Sequence, residues 1–251
     1  MIFSDLHTHS CFCDGKNTPE EMVLSAIDKG LKTIGIVAHC FTDFEPSYCV
    51  SRESEEAFKS EMKRLKDKYA EKIEVKCGIE QDIRATYPAE GYDYVIGSSH
   101  FFWFNKEWYH VDYKKDYFID VINKKFGGDY YSAAEHYYEN VSLIVEKTHP
   151  DIIAHFDLIT KFNEGNNLFD TSHPRYVRAQ DSAINELVRY NIPFEINTGA
   201  ISRGYRTEPY PEKSALDKIK ERGGKFLLSS DAHAKENIAF EFDKWAKYLG
   251  D

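Results

Sequence analysis

Short apolar stretches that end in, or run straight into, a histidine or a carboxylate recur along this 251-residue chain, with helix-period segments between them. Residues 32–38 lead into His39, 73–77 into Glu80, and 92–96 into Gly97-Ser98-Ser99-His100. Ile152-Ile153-Ala154 leads into His155, 192–196 ends at Asn197, and 225–228 runs into Asp231-Ala232-His233. Between them lie amphipathic patterns. Thr18-Pro19-Glu20-Glu21 reads as a capping box with proline at the first helical position, and Met22, Val23, Ala26 and Ile27 follow at helical spacing. Phe58, Met62, Leu65 and Tyr69 repeat the pattern over 54–70. Helices are also expected over 129–147, from Pro174, from Pro211, and at the C-terminus around Phe240 and Trp245. Residues 101–128 read as irregular. Strands alternating with helices imply a parallel sheet. About seven βα units fit, which favours a (β/α) barrel over an open sheet. No linker-like composition divides the chain, so residues 1–251 are read as one domain.

The first apolar stretch, with Ile2, Phe3 and Leu6, carries Asp5-Leu6-His7-Thr8-His9. Residues two apart on a strand face one side, so Asp5, His7 and His9 are expected to project together. In a barrel the ends of all such strands converge on the C-terminal face, where active sites lie. Six of the ten histidines fall at these ends: His7, His9, His39, His100, His155 and His233. Taken singly, His39 or His155 is most often a hydrogen-bonded strand-end histidine. Glu80 alone reads as a solvated or ion-paired carboxylate, and Asp231 as a helix cap. Jointly, so many imidazoles and carboxylates on one rim are poorly satisfied unless cations sit among them. Imidazole and carboxylate ligands suit zinc, iron or manganese. The number of ligands exceeds what one ion takes, so a cluster of two or three divalent metals is expected.

A net charge of −10 argues against a chain whose main task is to hold nucleic acid, which needs a basic face. It leaves a phosphorylated small molecule open, because bound metals supply local positive charge. The odd set of five cysteines fits a reducing cytoplasm. No signal-peptide pattern or membrane-spanning run is seen. Oligomeric state is not encoded in any feature of the sequence.

The order Asp5-x-His7-x-His9, Asp14, His39, Glu80, His100, His155, Asp231-x-His233 resembles the PHP (polymerase and histidinol phosphatase) family, and within it the histidinol-phosphatase branch. The resemblance spans nearly the whole length and implies a distorted seven-stranded (β/α) barrel with a trinuclear metal centre. Carried onto this chain, one metal is held by His7, His9, Glu80 and Asp231. A second shares Glu80 and adds His100 and His155, and a third takes Asp14, His39 and His233. Two positions depart from the pattern. Ala38 stands where family members often have an acid, and Asp14 where many have histidine. The first is expected to alter the surroundings of a ligand, and the second to retune the third metal.

The implied activity is hydrolysis of L-histidinol phosphate, a step of histidine biosynthesis, by a metal-bridged hydroxide attacking phosphorus in line. Arg203, after the strand ending at Asn197, is the first choice for a phosphate-binding cation and Lys161 the second; a solvated surface cation is the plain alternative for each. Asn197 and His100 are further candidates for touching substrate. Asp157 is a candidate proton donor to the leaving alkoxide, or a group that orients a histidine. Asp231 is expected to couple metal ligation with orientation of the nucleophile. The aromatic run Phe101-Phe102-Trp103-Phe104, with Trp108, Tyr109, Tyr113 and Tyr117, either closes over a small flat substrate or forms a hairpin packed on the rim. Cys11 and Cys13 are read as packing residues. The competing readings are a phosphatase or phosphodiesterase for another small phosphoester or nucleotide, a non-catalytic binding scaffold, and an amidohydrolase-type deaminase. Glu80 in the bridging position speaks against the deaminase.

Overall fold

The computed structural model describes residues 4–249, so Ile2 and Phe3 of the first apolar stretch lie outside the described residues. In chain order the elements are β1 (Ser4–His9), α1 (Pro19–Asp28), β2 (Thr33–His39), α2 (Arg52–Tyr69), β3 (Glu74–Asp82), β4 (Tyr94–Ser98), β5 (Phe101–Phe104), β6 (Glu107–His110), α3 (Lys115–Phe126), α4 (Tyr130–Ser142) and α5 (Ile144–Thr148). Then follow β7 (Ile152–Ile153), α6 (Pro174–Leu187), β8 (Phe194–Asn197), α7 (Gly199–Ser202), α8 (Lys213–Glu221), β9 (Phe226–Ser229) and α9 (Phe242–Trp245). Seven strands form one parallel sheet in the order β1-β2-β3-β4-β7-β8-β9. The sheet curls until its ends meet just past β9: the His9 N–H donates to the Ala232 carbonyl at 2.8 Å, and Ala232 N–H to that of His7 at 3.3 Å. The result is a nearly closed (β/α) barrel.

Local chemistry sets the helix boundaries. Thr18 accepts from the Glu21 N–H while the Glu21 carboxylate takes the Thr18 N–H, closing the capping box in front of α1. The helix anticipated over 129–147 is broken into α4 and α5 at Leu143. There the Ser142 hydroxyl donates back to the Glu139 carbonyl at 2.6 Å, a local bond that competes with helix continuation. The stretch 101–128 is more ordered than its composition suggests. It forms the β5–β6 hairpin and then α3, whose Phe118, Val121, Ile122 and Phe126 are buried at helical spacing.

The barrel interior holds Val37, Tyr94, Ile96, Ile152 and Ala154. Tyr94 crosses its floor and donates to the Leu6 carbonyl. Gly35 and Gly78 make room for it: a Cβ would stand 2.1 Å from the Tyr94 hydroxyl at the first and 2.4 Å from the ring at the second. This apolar plug seals the N-terminal end. Polar side chains at the strand C-termini therefore gather at the other end.

Candidate metal centre

Glu80, near the end of β3, is the centre of the polar rim and is only 1% exposed. Its Oε2 lies 2.9 Å from His39 Nδ1 and 3.3 Å from His7 Nε2. Its Oε1 lies 3.0 Å from His155 Nε2 and 3.3 Å from His100 Nε2. His9 Nε2 faces the same carboxylate at 3.5 Å and Asp231 Oδ1 at 3.5 Å. Asp14 completes the outer side, 3.2 Å from His233 Nε2 and 3.5 Å from His39 Nε2. The structure thus brings all nine anticipated ligand residues into one cluster. Three overlapping sets have ligand atoms within 4.8 Å of one another: His9 with Asp14, His39 and His233; His7 with His9 and Glu80; and His39 with Glu80 and His100.

The donor set fits divalent metals. His7 Nε2 and His9 Nε2 are 3.1 Å apart with both rings fully buried. Two imidazole nitrogens aimed at one point serve naturally as lone-pair donors to a shared cation neighbourhood. Burial and the neighbouring His233 and His39 push the His9 imidazole down to about 3, so it is neutral near pH 7. Burial opposes charge on His7 too, but the carboxylates of Glu195, Glu80 and Asp231 outweigh it and raise its pKa. Burial alone would raise the carboxyl pKa of Glu80; His39, His100 and His7 hold it well below the usual range.

Further groups orient these ligands, as metal-binding histidines require. Glu195 Oε1 takes His7 Nδ1 at 2.6 Å, and its Oε2 accepts from the His155 N–H at 3.2 Å. Asp82 Oδ2 stands 3.3 Å from His100 Nδ1 and accepts the His100 N–H at 2.8 Å. Sequence reasoning passed over both. Glu195 had a signal, a charge inside the apolar strand Phe194-Glu195-Ile196, since a buried carboxylate needs partners. Asp82 had one too, lying on the same strand face as Glu80.

Asp5 does not join the cluster. The register of β1 shifts between Asp5 and Thr8, which breaks the simple alternation. Its carboxylate instead accepts from Ser230 N–H at 3.1 Å and Ala239 N–H at 2.9 Å, pinning the last strand to the first. After β9 the backbone turns through Asp231 at φ 46°, a left-handed conformation rare for a non-glycine residue, of the kind found where structure over-determines a functional position.

A cavity of about 620 Å³ opens over the cluster, within the range of small-molecule sites. Arg203 and Lys161 both line it. The Arg203 guanidinium donates to Asp231 Oδ2 at 3.0 Å and to the Asp231 carbonyl at 2.9 Å. Lys161 donates to the Asp112 carbonyl at 2.7 Å. Asn197 and Asp157 are corrections, since neither lines the cavity. Asn197 spends its amide on Glu195 and its carbonyl on the Gly199 N–H. Asp157 follows the short β7 strand into a turn and is fully buried, where its carboxylate accepts the Glu212 N–H at 2.8 Å. The role of proton donor to a bound substrate is therefore withdrawn from Asp157. The aromatic stretch is a hairpin with Phe101 and Phe102 buried, and its end supplies His110 to the cavity wall, a histidine given no role from sequence.

Asp157 yields a stability prediction. Burial and the neighbouring Glu212 carboxylate push its carboxyl up to about 7, against a lesser lowering by Arg206. The folded state therefore keeps a proton that the unfolded chain releases from about pH 4 upward, so this group's contribution declines between about pH 4 and 7. Asp157→Asn should gain in Tm relative to wild type across that window. A Tm difference that does not change with pH would contradict the assignment.

A nearly closed barrel with buried imidazoles and carboxylates converging at its C-terminal face defines a metal-dependent hydrolase type of site. The chain belongs to the PHP domain family, whose model matches residues 5–199. It is similar to the histidinol-phosphatase of Bacillus subtilis, 25% identical over 265 residues covering 95% of this chain and 96% of that one. Among solved structures, a Listeria monocytogenes protein with a provisional histidinol-phosphatase name superposes with a TM-score of 0.81 at 21% identity, covering 96% of this chain and 99% of that one. The histidinol phosphate phosphatase of Lactococcus lactis, solved with zinc, L-histidinol and phosphate, gives a TM-score of 0.73 at 19% identity, covering 98% and 92%.

Proposed function

We propose that this chain is a metal-dependent phosphomonoesterase that hydrolyses L-histidinol phosphate to L-histidinol and phosphate, as in histidine biosynthesis. The observation that carries the reading is Glu80 set among five imidazoles at the base of a cavity that also presents Arg203. The likeness to the Bacillus subtilis and Lactococcus lactis enzymes over almost the whole chain supports the substrate. His7, His9, Glu80 and Asp231 would hold one metal, Glu80, His100 and His155 a second, and Asp14, His39 and His233 a third. Divalent metals there, zinc, manganese or iron, supply a nucleophile at neutral pH and neutralise phosphoryl charge.

The protein's own contribution is positional. Asp231 holds Arg203 through two contacts, so the guanidinium is aimed before substrate arrives. That fork is suited to phosphate oxygens. Lys161 adds a second cation to the cavity lining. Glu195 and Asp82 fix the rings of His7 and His100, so the metal face needs little rearrangement during turnover. The five cysteines are all unpaired, which supports a cytoplasmic setting, and no helix among the described residues is long and apolar enough to cross a membrane.

The test is phosphate release from L-histidinol phosphate, p-nitrophenyl phosphate and bis-p-nitrophenyl phosphate by metal-loaded wild type and His100→Ala. A strong preference for the first, lost in the variant, is expected. Diester cleavage without monoester preference would replace this reading with the phosphodiesterase one.

A further inference from the structure

The cavity has two unlike ends. One is the metal face with Arg203. The other is a wall made by the loop between β2 and α2 together with the β5–β6 hairpin, and no step of the proposed hydrolysis uses it. Phe44 joins the two pieces, its ring 4.8 Å from Phe101 and 6.4 Å from Trp108. The loop is also pinned from within, where Thr42 Oγ1 donates to the Glu45 carbonyl at 2.9 Å. The wall is close to the metal face. His110 pairs with Phe101 across the hairpin, and the Val111 N–H donates to the His100 carbonyl at 3.0 Å. His110 therefore stands one strand spacing, about 5 Å, from the backbone of His100.

On this wall Glu45 has a fixed carboxylate with one oxygen left over. Oε1 accepts from Ser47 Oγ at 2.5 Å and from Ser47 N–H at 3.4 Å. Oε2 lies 3.7 Å from His110 Nε2, too far for a hydrogen bond. The side chain is 34% exposed and lines the cavity. His110 faces it from a nest of rings, with Tyr113 at 5.7 Å and Tyr117 at 6.1 Å. Burial pushes His110 below its ordinary range and Ser47 keeps Glu45 below its own, so near neutral pH the wall combines a carboxylate with a neutral imidazole and tyrosine rings. Such a wall attracts a flat group carrying N–H donors or positive charge, and repels an anionic tail.

We propose that Glu45, across from His110, selects the alcohol half of the substrate by accepting a hydrogen bond from a planar nitrogen heterocycle, the imidazole end of a histidinol-type phosphomonoester. The proposal rests on the phosphomonoesterase reading above and assigns its specificity to a residue outside the metal cluster. A phosphoester whose alcohol half carries a further negative charge is disfavoured by the same carboxylate.

The experiment is steady-state kinetics of the metal-loaded enzyme, wild type against Glu45→Gln and Glu45→Ala, on L-histidinol phosphate and on p-nitrophenyl phosphate, which lacks N–H donors. Calorimetric titration with L-histidinol gives a readout free of catalysis. One charge-assisted hydrogen bond at a partly exposed site is worth about tenfold in binding. Glu45→Gln should raise KM for L-histidinol phosphate about tenfold, weaken L-histidinol binding by the same factor, and leave kcat and the p-nitrophenyl phosphate kinetics within about twofold. An equal loss on both substrates would mean that Glu45 only supports the fold of the loop, and an unchanged KM would mean that it does not touch substrate; either overturns the proposal alone. Absence of any wild-type preference for L-histidinol phosphate would overturn the functional reading and this proposal with it.

Discussion

Glu80→Gln is expected to remove nearly all hydrolysis while leaving the chain folded. Glutamine keeps the shape but removes the charge that His39, His100, His7 and His155 all face. An amide offers one neutral oxygen where two charged ones stand, so it cannot serve two cations at once. The Lewis-acid contribution of a metal is several kcal/mol, and each 1.36 kcal/mol is tenfold in rate. Loss of even one metal therefore lowers kcat/KM on the order of a thousandfold. Metal content after gel filtration checks this independently, and the variant should retain fewer equivalents than wild type. Full metal occupancy with near-normal turnover would remove Glu80 from the bridging role. Stability is a second readout. Without metal, the variant buries the five imidazoles around a neutral group, which relieves none of their desolvation. Its metal-free form is therefore expected to melt below that of wild type.

Arg203→Ala should act on phosphate rather than on metal retention. Burial disfavours a charged Asp231, yet Arg203 first, then His7 and His233, hold its carboxyl well below the usual range. Alanine deletes the cavity's guanidinium, while Asp231 keeps His7, His9 and His233 around its other oxygen. Hydrogen bonds to charged groups contribute about 1.5–3 kcal/mol, so kcat/KM should fall roughly ten- to a hundredfold. Inhibition by inorganic phosphate should weaken in parallel. Arg203→Lys restores charge without the fork and should recover only part of the loss. Loss of turnover with unchanged phosphate inhibition would instead make Arg203 a support for Asp231 alone.

Much of this site was legible before any fold was known, because strand-end positions in a barrel converge whatever the intervening loops do. His39, Glu80, His100 and His155 each follow, or end, an apolar run that reads as a buried strand, and their meeting needed no knowledge of distances. Asp5 shows where that logic stops. Alternation placed it with His7 and His9, but a shift of register sends it to Ser230 and Ala239. Asp157 and Asn197 failed for a related reason. Position after a strand fixes where a residue starts, whereas the direction of its side chain depends on its partners: the Glu212 N–H, 55 positions away, for Asp157, and the near neighbours Glu195 and Gly199 for Asn197. The α3 helix had a visible period in Phe118, Val121, Ile122 and Phe126, obscured by the aromatic run before it.

The sequence by itself determined the architecture and the identity of the groups on the rim, since apolar periodicity and strand-end placement are local properties. Tertiary structure decided which of those groups face the cavity and which merely brace it. It alone revealed Glu195 behind His7, Asp82 behind His100, and Glu45 across from His110. Those pairings join residues 188, 18 and 65 positions apart. Such contacts arise only when the sheet curls and the hairpin folds onto its loop, so no local pattern along the chain records them.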